Sequence, residues 1–402
     1  MDMPGVVVDM PGDVLERLGD AADTPGEVFA RPGDVAEAPR ETAGCTAGTA
    51  GTPEVAALGG ISEGMAGILR ARAAPAGPEL GWAVPHGQGG RGQAGAYSGG
   101  PCRRATPSMK TADLIAIDIH THAEVSCWNP FDNYGEEYDR AADKYFGSNR
   151  RPTIAETVAH YREMKIGLVM FTVDSESQLG RKRIPNEEIC EAAKANADMM
   201  IAFASIDPHK GKMGAREARR LIAEHGVKGF KFHPTVQGFM PFDKMAWPLY
   251  EVIAEHKLPA IFHSGHSGIG SGMRCGGGLR LQNSNPMLLE DVAIAFPDIQ
   301  IVIAHPSWPW QDEALSLALH KPNVWIDLSG WSPKYFPPQL VQYANTLLKD
   351  RMLFGSDYPL ITPERWMKDF DEAGFKDKVK PLILKDNAMR LLGFTAQAPA
   401  AA

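Results

Sequence analysis

Along residues 113–394 the apolar and polar positions fall into blocks with a regular rhythm. Eight short, strongly apolar runs occur: LIAIDIH (114–120), IGLVMFTV (166–173), MIAFASI (200–206), VKGFKFH (227–233), LPAIFHS (258–264), IQIVIAH (299–305), NVWIDLS (323–329) and RMLFGSD (351–357). Runs of this length, bounded by Gly, Pro or polar residues, predict strands buried on both faces. Between them lie stretches with helical spacing. Thr153 and Glu156 predict a capping box ahead of TVAHYREMK, and PNEEICEAAKANA, GAREARRLIAEHG, DKMAWPLYEVIAEHK, NPMLLEDVAIAFP, DEALSLALHK and PPQLVQYANTLLKD follow. Eight strands alternating with helices predict an α/β fold of the (β/α)8 TIM-barrel type over residues 113–394. A doubly wound open sheet is the rival, disfavoured because no G-x-G-x-x-G follows the first run.

The pattern fails upstream. Gly5, Gly12, Gly19, Gly26 and Gly33 recur every seven residues, four of them after proline, and such a repeat cannot be a coiled-coil heptad. Of the 41 glycines and 31 prolines, 21 and 11 fall in residues 1–110, with one phenylalanine and one lysine. A segment so poor in apolar side chains cannot offset an ordering entropy of roughly 1–2 kcal/mol per residue. Residues 1–112 are therefore expected to be a disordered Gly/Ala/Pro-rich extension, and 395–402 a disordered tail.

Charge and cysteine content narrow the class. A formal net charge of −8 without a basic run leaves no electrostatic footprint for nucleic acid. The chain has no run of apolar residues long enough to span a membrane, and its start lacks signal-peptide order, so a cytoplasmic protein is expected. Cys45, Cys102, Cys127, Cys190 and Cys275 form no C-x-x-C pair, which points to reduced thiols.

The histidines supply the chemistry. His120, His122, His233, His263 and His305 lie at the carboxyl ends of predicted strands one, four, five and six, and Asp357 ends the eighth. In a barrel those ends converge on one mouth, where active sites are built. His120 and His122 alternate to the same side of one strand, about 6.5 Å apart along it, so both imidazoles can reach one ion. His263 and Asp357 complete three nitrogens and a carboxylate, suited to one divalent ion, Zn²⁺ first and Mn²⁺ as the alternative. His160, His225, His256 and His320 belong to amphipathic helices, His86 to the extension and His209 to the third loop.

These residues also carry a resemblance. H-T-H on the first strand, I-F-H-S-G on the fifth, I-A-H-P on the sixth, F-G-S-D-Y-P on the eighth and the terminal N-A-M-R-L-L-G resemble the amidohydrolase superfamily. Within it they resemble the branch of aminocarboxymuconate semialdehyde decarboxylase, the resorcylate-type decarboxylases and related hydrolases. The resemblance implies His120, His122, His263 and Asp357 as ligands of a single metal, and His305 as acid/base. It also implies a homodimer. Other branches of the superfamily bridge two metals through a carboxylated lysine at the end of the fourth strand, and Lys231, which faces the same way as His233, makes a bridging role conceivable although the branch resembled uses one metal. His233 itself reads as a pocket wall or a hydrogen-bond donor behind the ligands rather than as a ligand.

A metal site of this type lowers the pKa of water toward about 7 and supports either hydrolysis or non-oxidative decarboxylation. The loops suggest a substrate. Trp128, Phe131, Tyr134, Tyr138, Tyr145 and Phe146 follow the first strand. The glycine-rich loop 265–286 brings His266, Arg274 and Arg280, and S-W-P-W adds Trp308 and Trp310. Aromatic walls with His233, His266, Trp128, Trp308 and two arginines predict an aromatic substrate bearing carboxylate or phosphate. The strings I-D-I-H-T-H-A-E-V-S-C, S-I-D-P-H-K-G-K-M-G-A-R-E-A-R-R, F-K-F-H-P-T-V-Q-G-F and I-D-L-S-G-W-S-P-K-Y-F-P-P resemble the 4-hydroxyphenyl-β-ketoacyl-CoA hydrolases of p-coumarate-type catabolism. That implies retro-Claisen cleavage of an aromatic acyl-CoA. Decarboxylation of an aromatic or muconate-type acid is the alternative, and a non-catalytic binding barrel is the hypothesis from another class.

Overall fold

A computed structural model describes residues 109–129, 136–147, 149–180 and 182–394. The repeat of the first 108 residues, Phe131, Tyr134 and the tail 395–402 lie outside the described residues. Eight strands form, one at each predicted run: β1 Ala116–His122, β2 Ile166–Phe171, β3 Met200–Ala202, β4 Phe230–Phe232, β5 Pro259–His263, β6 Gln300–Ala304, β7 Val324–Asp327 and β8 Met352–Leu353. All neighbouring pairs are parallel, in the orders β1-β2-β3 and β4-β5-β6-β7-β8. Two seams close the cylinder. Ala204 bridges Phe230 between β3 and β4, and Thr121 bridges Tyr358 where the chain leaves β8 beside β1. The protein is a (β/α)8 barrel.

β8 is short because the carboxyl end of its predicted run leaves the ladder. Met352–Leu353 is regular, whereas Phe354–Asp357 reaches β1 through single bonds: Ile119 N–H to Phe354 O at 3.1 Å, Asp357 N–H to His120 O at 3.0 Å and His122 N–H to Tyr358 O at 2.8 Å. In β1 the register slips between Asp118 and Thr121, a bulge that falls at the first metal-ligand candidate. β2, β4, β5 and β7 are buried along their whole length, as expected of parallel strands covered on both faces.

The outer helices follow their apolar stripes. In Ile154–Met164 the buried residues are Ile154, Thr157, Val158 and Tyr161, a single helical face. The predicted capping box is present: Thr153 Oγ accepts from Glu156 N–H at 3.2 Å, and Glu156 Oε2 accepts from Thr153 N–H at 2.8 Å. The aromatic segment after β1, expected as a loop, instead forms a helix at Glu136–Phe146. The barrel also begins earlier than residue 113. Met109 is buried, and its side chain packs beside Gly167 and Leu114. Lys110 N–H bonds Asp198 O at 2.8 Å. Among the described residues no helix is long and apolar enough to cross a membrane. Cys127, Cys190 and Cys275 are free thiols.

Candidate metal centre and its cleft

β1 delivers two imidazoles and the turn after β8 delivers a carboxylate to one point. His120 Nε2 and His122 Nε2 are 3.2 Å apart, and Asp357 Oδ1 lies 3.2 Å from the first and 3.1 Å from the second. Bonds of about 2.1 Å to one ion place neighbouring ligand atoms about 3.0 Å apart at right angles and about 3.4 Å apart at tetrahedral angles. The observed triangle has that edge length. Burial opposes the charge of Asp357, but His120, His122 and His305 outweigh it and hold the carboxyl far below the usual range.

A second layer sets the tautomers. Asp327, at the end of β7, places Oδ2 2.5 Å from His120 Nδ1. The imidazole therefore donates from Nδ1 and keeps the Nε2 lone pair toward the triangle. Ser329 Oγ donates to Asp327 Oδ2 at 2.8 Å, so at its 3.0 Å contact with His305 Nδ1 it accepts. That leaves His305 Nε2 as a lone pair, 3.0 Å from His263 Nδ1, which must then be the donor. The remaining nitrogen of His263, Nε2, is buried without a hydrogen-bond partner. An orphaned, unprotonated imidazole nitrogen is what a further metal bond would satisfy. His120, His122 and Asp357 could therefore hold a divalent ion; His305 also offers a ring nitrogen within 4.8 Å of ligand atoms of His120 and Asp357, and His263 beside His305 offers a further one. Burial lowers the pKa of His120, His263 and His305, with Lys231 reinforcing each shift, and all three favour the neutral form.

Lys231 is fully buried, its Nζ 3.0 Å from His120 Nε2 and 4.8 Å from the Phe171 ring centre. Burial pulls its ammonium down to about 8, against the pull of Asp357 and Asp327. Backbone strain gathers at the same mouth. His305, Ser307 and Asp357 all have φ near +70°, a conformation that costs a side-chain-bearing residue on the order of 1 kcal/mol or more.

One cleft runs from this centre to the surface. His122, Lys231, His233, His263, His305 and Asp357 form its floor; Phe146, Val236, Ile184 and Ile269 are among its apolar walls; Arg151, Lys182 and Arg183 bring cationic side chains. Arg151 is held by Asp143 at 2.6 Å, and Arg183 by Asp174 at 2.9 Å. His233 lies flat on His263, ring centres 3.7 Å apart, as a wall. Several expected substrate contacts are placed elsewhere. Arg274 and Arg280 are exposed and do not line the cleft, because the glycine-rich loop turns outward after Ile269. Trp128 is 55% exposed. His266 packs between Tyr145 and Trp308, and Trp308 against Trp331, so both brace the rim rather than line it. Of the described aromatics after β1, only Phe146 reaches the cleft. Asp327 and Ser329 escaped the sequence reading. Their signal was a polar pair closing the otherwise apolar run VWIDLS, since a buried polar residue is more informative than an apolar one.

Comparison with known proteins agrees with this architecture. An uncharacterised TIM-barrel protein of Bordetella bronchiseptica is 22% identical, with 69% of this chain matched to 98% of that one and a TM-score of 0.57. A 2,6-dihydroxybenzoate decarboxylase complexed with 2,6-dihydroxybenzoate is 13% identical over 70% of this chain and 99% of that one, TM-score 0.52. A mutant 5-carboxyvanillate decarboxylase of Novosphingobium aromaticivorans, with bound manganese and 3-methoxy-4-hydroxy-5-nitrobenzoic acid, is 15% identical over 71% and 99%, TM-score 0.51. These likenesses concern the fold. The family model described as amidohydrolase matches residues 117–394, every strand end that carries a site residue included. The chain belongs to the amidohydrolase family and is an enzyme of that superfamily.

Proposed function

We propose that the enzyme is a metal-dependent carbon–carbon lyase, a non-oxidative decarboxylase of a compact aromatic carboxylic acid. The observation that carries this reading is the lining of the cleft. Apolar walls suited to a ring lead from the cations Arg151, Lys182 and Arg183, with the carboxylates Glu124 and Asp139 beside them, to His122 and Asp357 of the triangle. Arg274 and Arg280, expected to meet a substrate carboxylate or phosphate, are not among its lining residues. The ion, when bound, supplies a fixed positive charge that draws electron density from substrate oxygens. Zinc and manganese both suit three imidazoles and a carboxylate; manganese is the ion in the Novosphingobium decarboxylase.

The chain's own residues supply the rest. Phe146, Val236 and Ile269 hold the ring and exclude water, and the cationic side chains steer a carboxylate inward. Breaking the ring–carboxylate bond leaves an electron pair on the ring carbon and releases CO2; one proton must then reach that carbon. His305 Nε2, a lone pair in the resting site, first takes up a proton from solvent and then hands it to that carbon, its orientation fixed by Ser329 at Nδ1.

Hydrolytic retro-Claisen cleavage of a 4-hydroxyphenyl-β-ketoacyl-CoA is the second reading. It is favoured by the position of the strings I-D-L-S-G-W and F-K-F-H-P, which carry Asp327, Ser329, Lys231 and His233 at the site. Purified enzyme loaded with Mn²⁺ or Zn²⁺ and given hydroxybenzoic acids and the β-ketoacyl-CoA in parallel separates the two. CO2 from an acid supports the lyase; free acid plus acetyl-CoA with no CO2 overturns it.

A further inference from the structure

Asp118 is a fully buried acid two residues before His120 that no step above uses. Its carboxylate accepts four hydrogen bonds. Oδ1 takes the backbone N–H of His120 at 2.9 Å and of Ser356 at 3.1 Å. Oδ2 takes the hydroxyls of Ser356 at 2.5 Å and Tyr161 at 2.7 Å. Both backbone donors belong to segments whose regular pairing has failed: His120 sits at the β1 bulge, and Ser356 lies on the stretch after the two-residue strand β8. One follows the carboxylate into a metal-ligand candidate, and the other immediately precedes Asp357.

We propose that Asp118 is the positioning residue of the metal triangle, one carboxylate that fixes the backbone of His120 against the backbone of Asp357. The reasoning is geometric. Two ligands on one strand keep their spacing through covalent geometry, but Asp357 arrives from the opposite end of the chain across a seam held by few bonds. A donor displaced by a few tenths of an ångström spoils the ligand edges, and partners behind metal ligands typically matter about 10- to 100-fold in affinity. Oδ1 carries this role. The Tyr161 bond at Oδ2 faces the helix Ile154–Met164 and ties the strand to the barrel wall instead.

The inference rests on the metal centre of the proposed function but not on its chemistry, so its test reads metal rather than turnover. Mn²⁺ and Zn²⁺ affinities of the full-length protein are measured by chelator competition, with thermal midpoints in excess chelator as the record of the fold. Asp118→Ala, which removes both oxygens, is expected to bind Mn²⁺ at least tenfold more weakly. Asp118→Asn, which keeps Oδ1 as an acceptor for both N–H groups, and Tyr161→Phe are expected to lower the midpoint while keeping affinity within twofold. A folded Asp118→Ala with wild-type affinity overturns the proposal, as does an equal affinity loss in Tyr161→Phe. Should Asp118→Ala fail to fold, Asp118→Glu decides, because its extra methylene carries the carboxylate off both N–H groups: a severalfold loss supports the role and none overturns it. A tenfold loss in Asp118→Ala in a protein that decarboxylates no acid leaves this role supported and the proposed reaction refuted.

Discussion

A β-carbon on Gly330 would sit 2.4 Å from Nδ1 of His305, closer than any side chain can come. Gly330 also has φ +73°, which only glycine adopts without strain. Gly330→Ala is therefore expected to displace the His305 ring from Ser329 and leave the His120–His122–Asp357 triangle intact. Loss of an oriented proton-transfer group costs about 10²- to 10⁴-fold in kcat. Metal content should stay stoichiometric by elemental analysis; metal loss in proportion to activity would refute the assignment.

Asp327 is the partner that fixes the His120 tautomer. Asp327→Asn can present an amide N–H to Nδ1 and favour the tautomer with its proton on Nε2, toward the triangle. Metal affinity is expected to fall about 10- to 100-fold with little change in fold. Gly355→Ala is expected to do likewise, because its β-carbon would lie 2.3 Å from Asp327 Oδ1. Chelator competition on both variants measures the effect, and wild-type affinity in both would remove Asp327 from the site.

Acid stability follows from the buried histidines. Burial lowers the pKa of His120, His233, His263 and His305 below 6.5, so between that value and their folded pKa the unfolded chain binds more protons. Stability contributed by these groups is present above 6.5 and lost as the pH falls through that window. Asp118, raised by burial to about 7, and Asp327, raised by burial, oppose them, since a raised carboxyl stabilises at low pH and loses that contribution as pH rises from 3.8. Four histidines outnumber two aspartates. The thermal midpoint of the metal-free protein should therefore drop from pH 6.5 to 5, and one that rises over that range would contradict the buried-neutral reading.

Met109 and Lys110 pack on the barrel ahead of β1. Burying a methionine contributes about 1.5–3 kcal/mol. A chain beginning at Thr111, which loses Met109 and the Lys110–Asp198 bond, should unfold at lower urea than one beginning before Met109. Equal midpoints would show that these contacts contribute nothing.

The order of the elements was legible because both periodicities are local. Apolar runs such as IVIA need no distant partner to read as strands, and Thr153 with Glu156 names its own helix start. The gathering of His120, His122, His263, His305 and Asp357 was legible too, since parallel strands of a barrel must share one end.

What only the tertiary structure decided is which side chains meet across the chain. Asp327 and His120 are 207 positions apart and Asp118 and Ser356 238, and nothing in local spacing encodes those bonds. The same holds for the exposed course of Arg274 and Arg280, and for the placement of Arg151 and Arg183 on the cleft. Sequence periodicity set the scaffold and the end of it that reacts. Packing across the closed barrel selected the hydrogen-bond partners and the cleft lining, because burial leaves no polar group free to choose water instead.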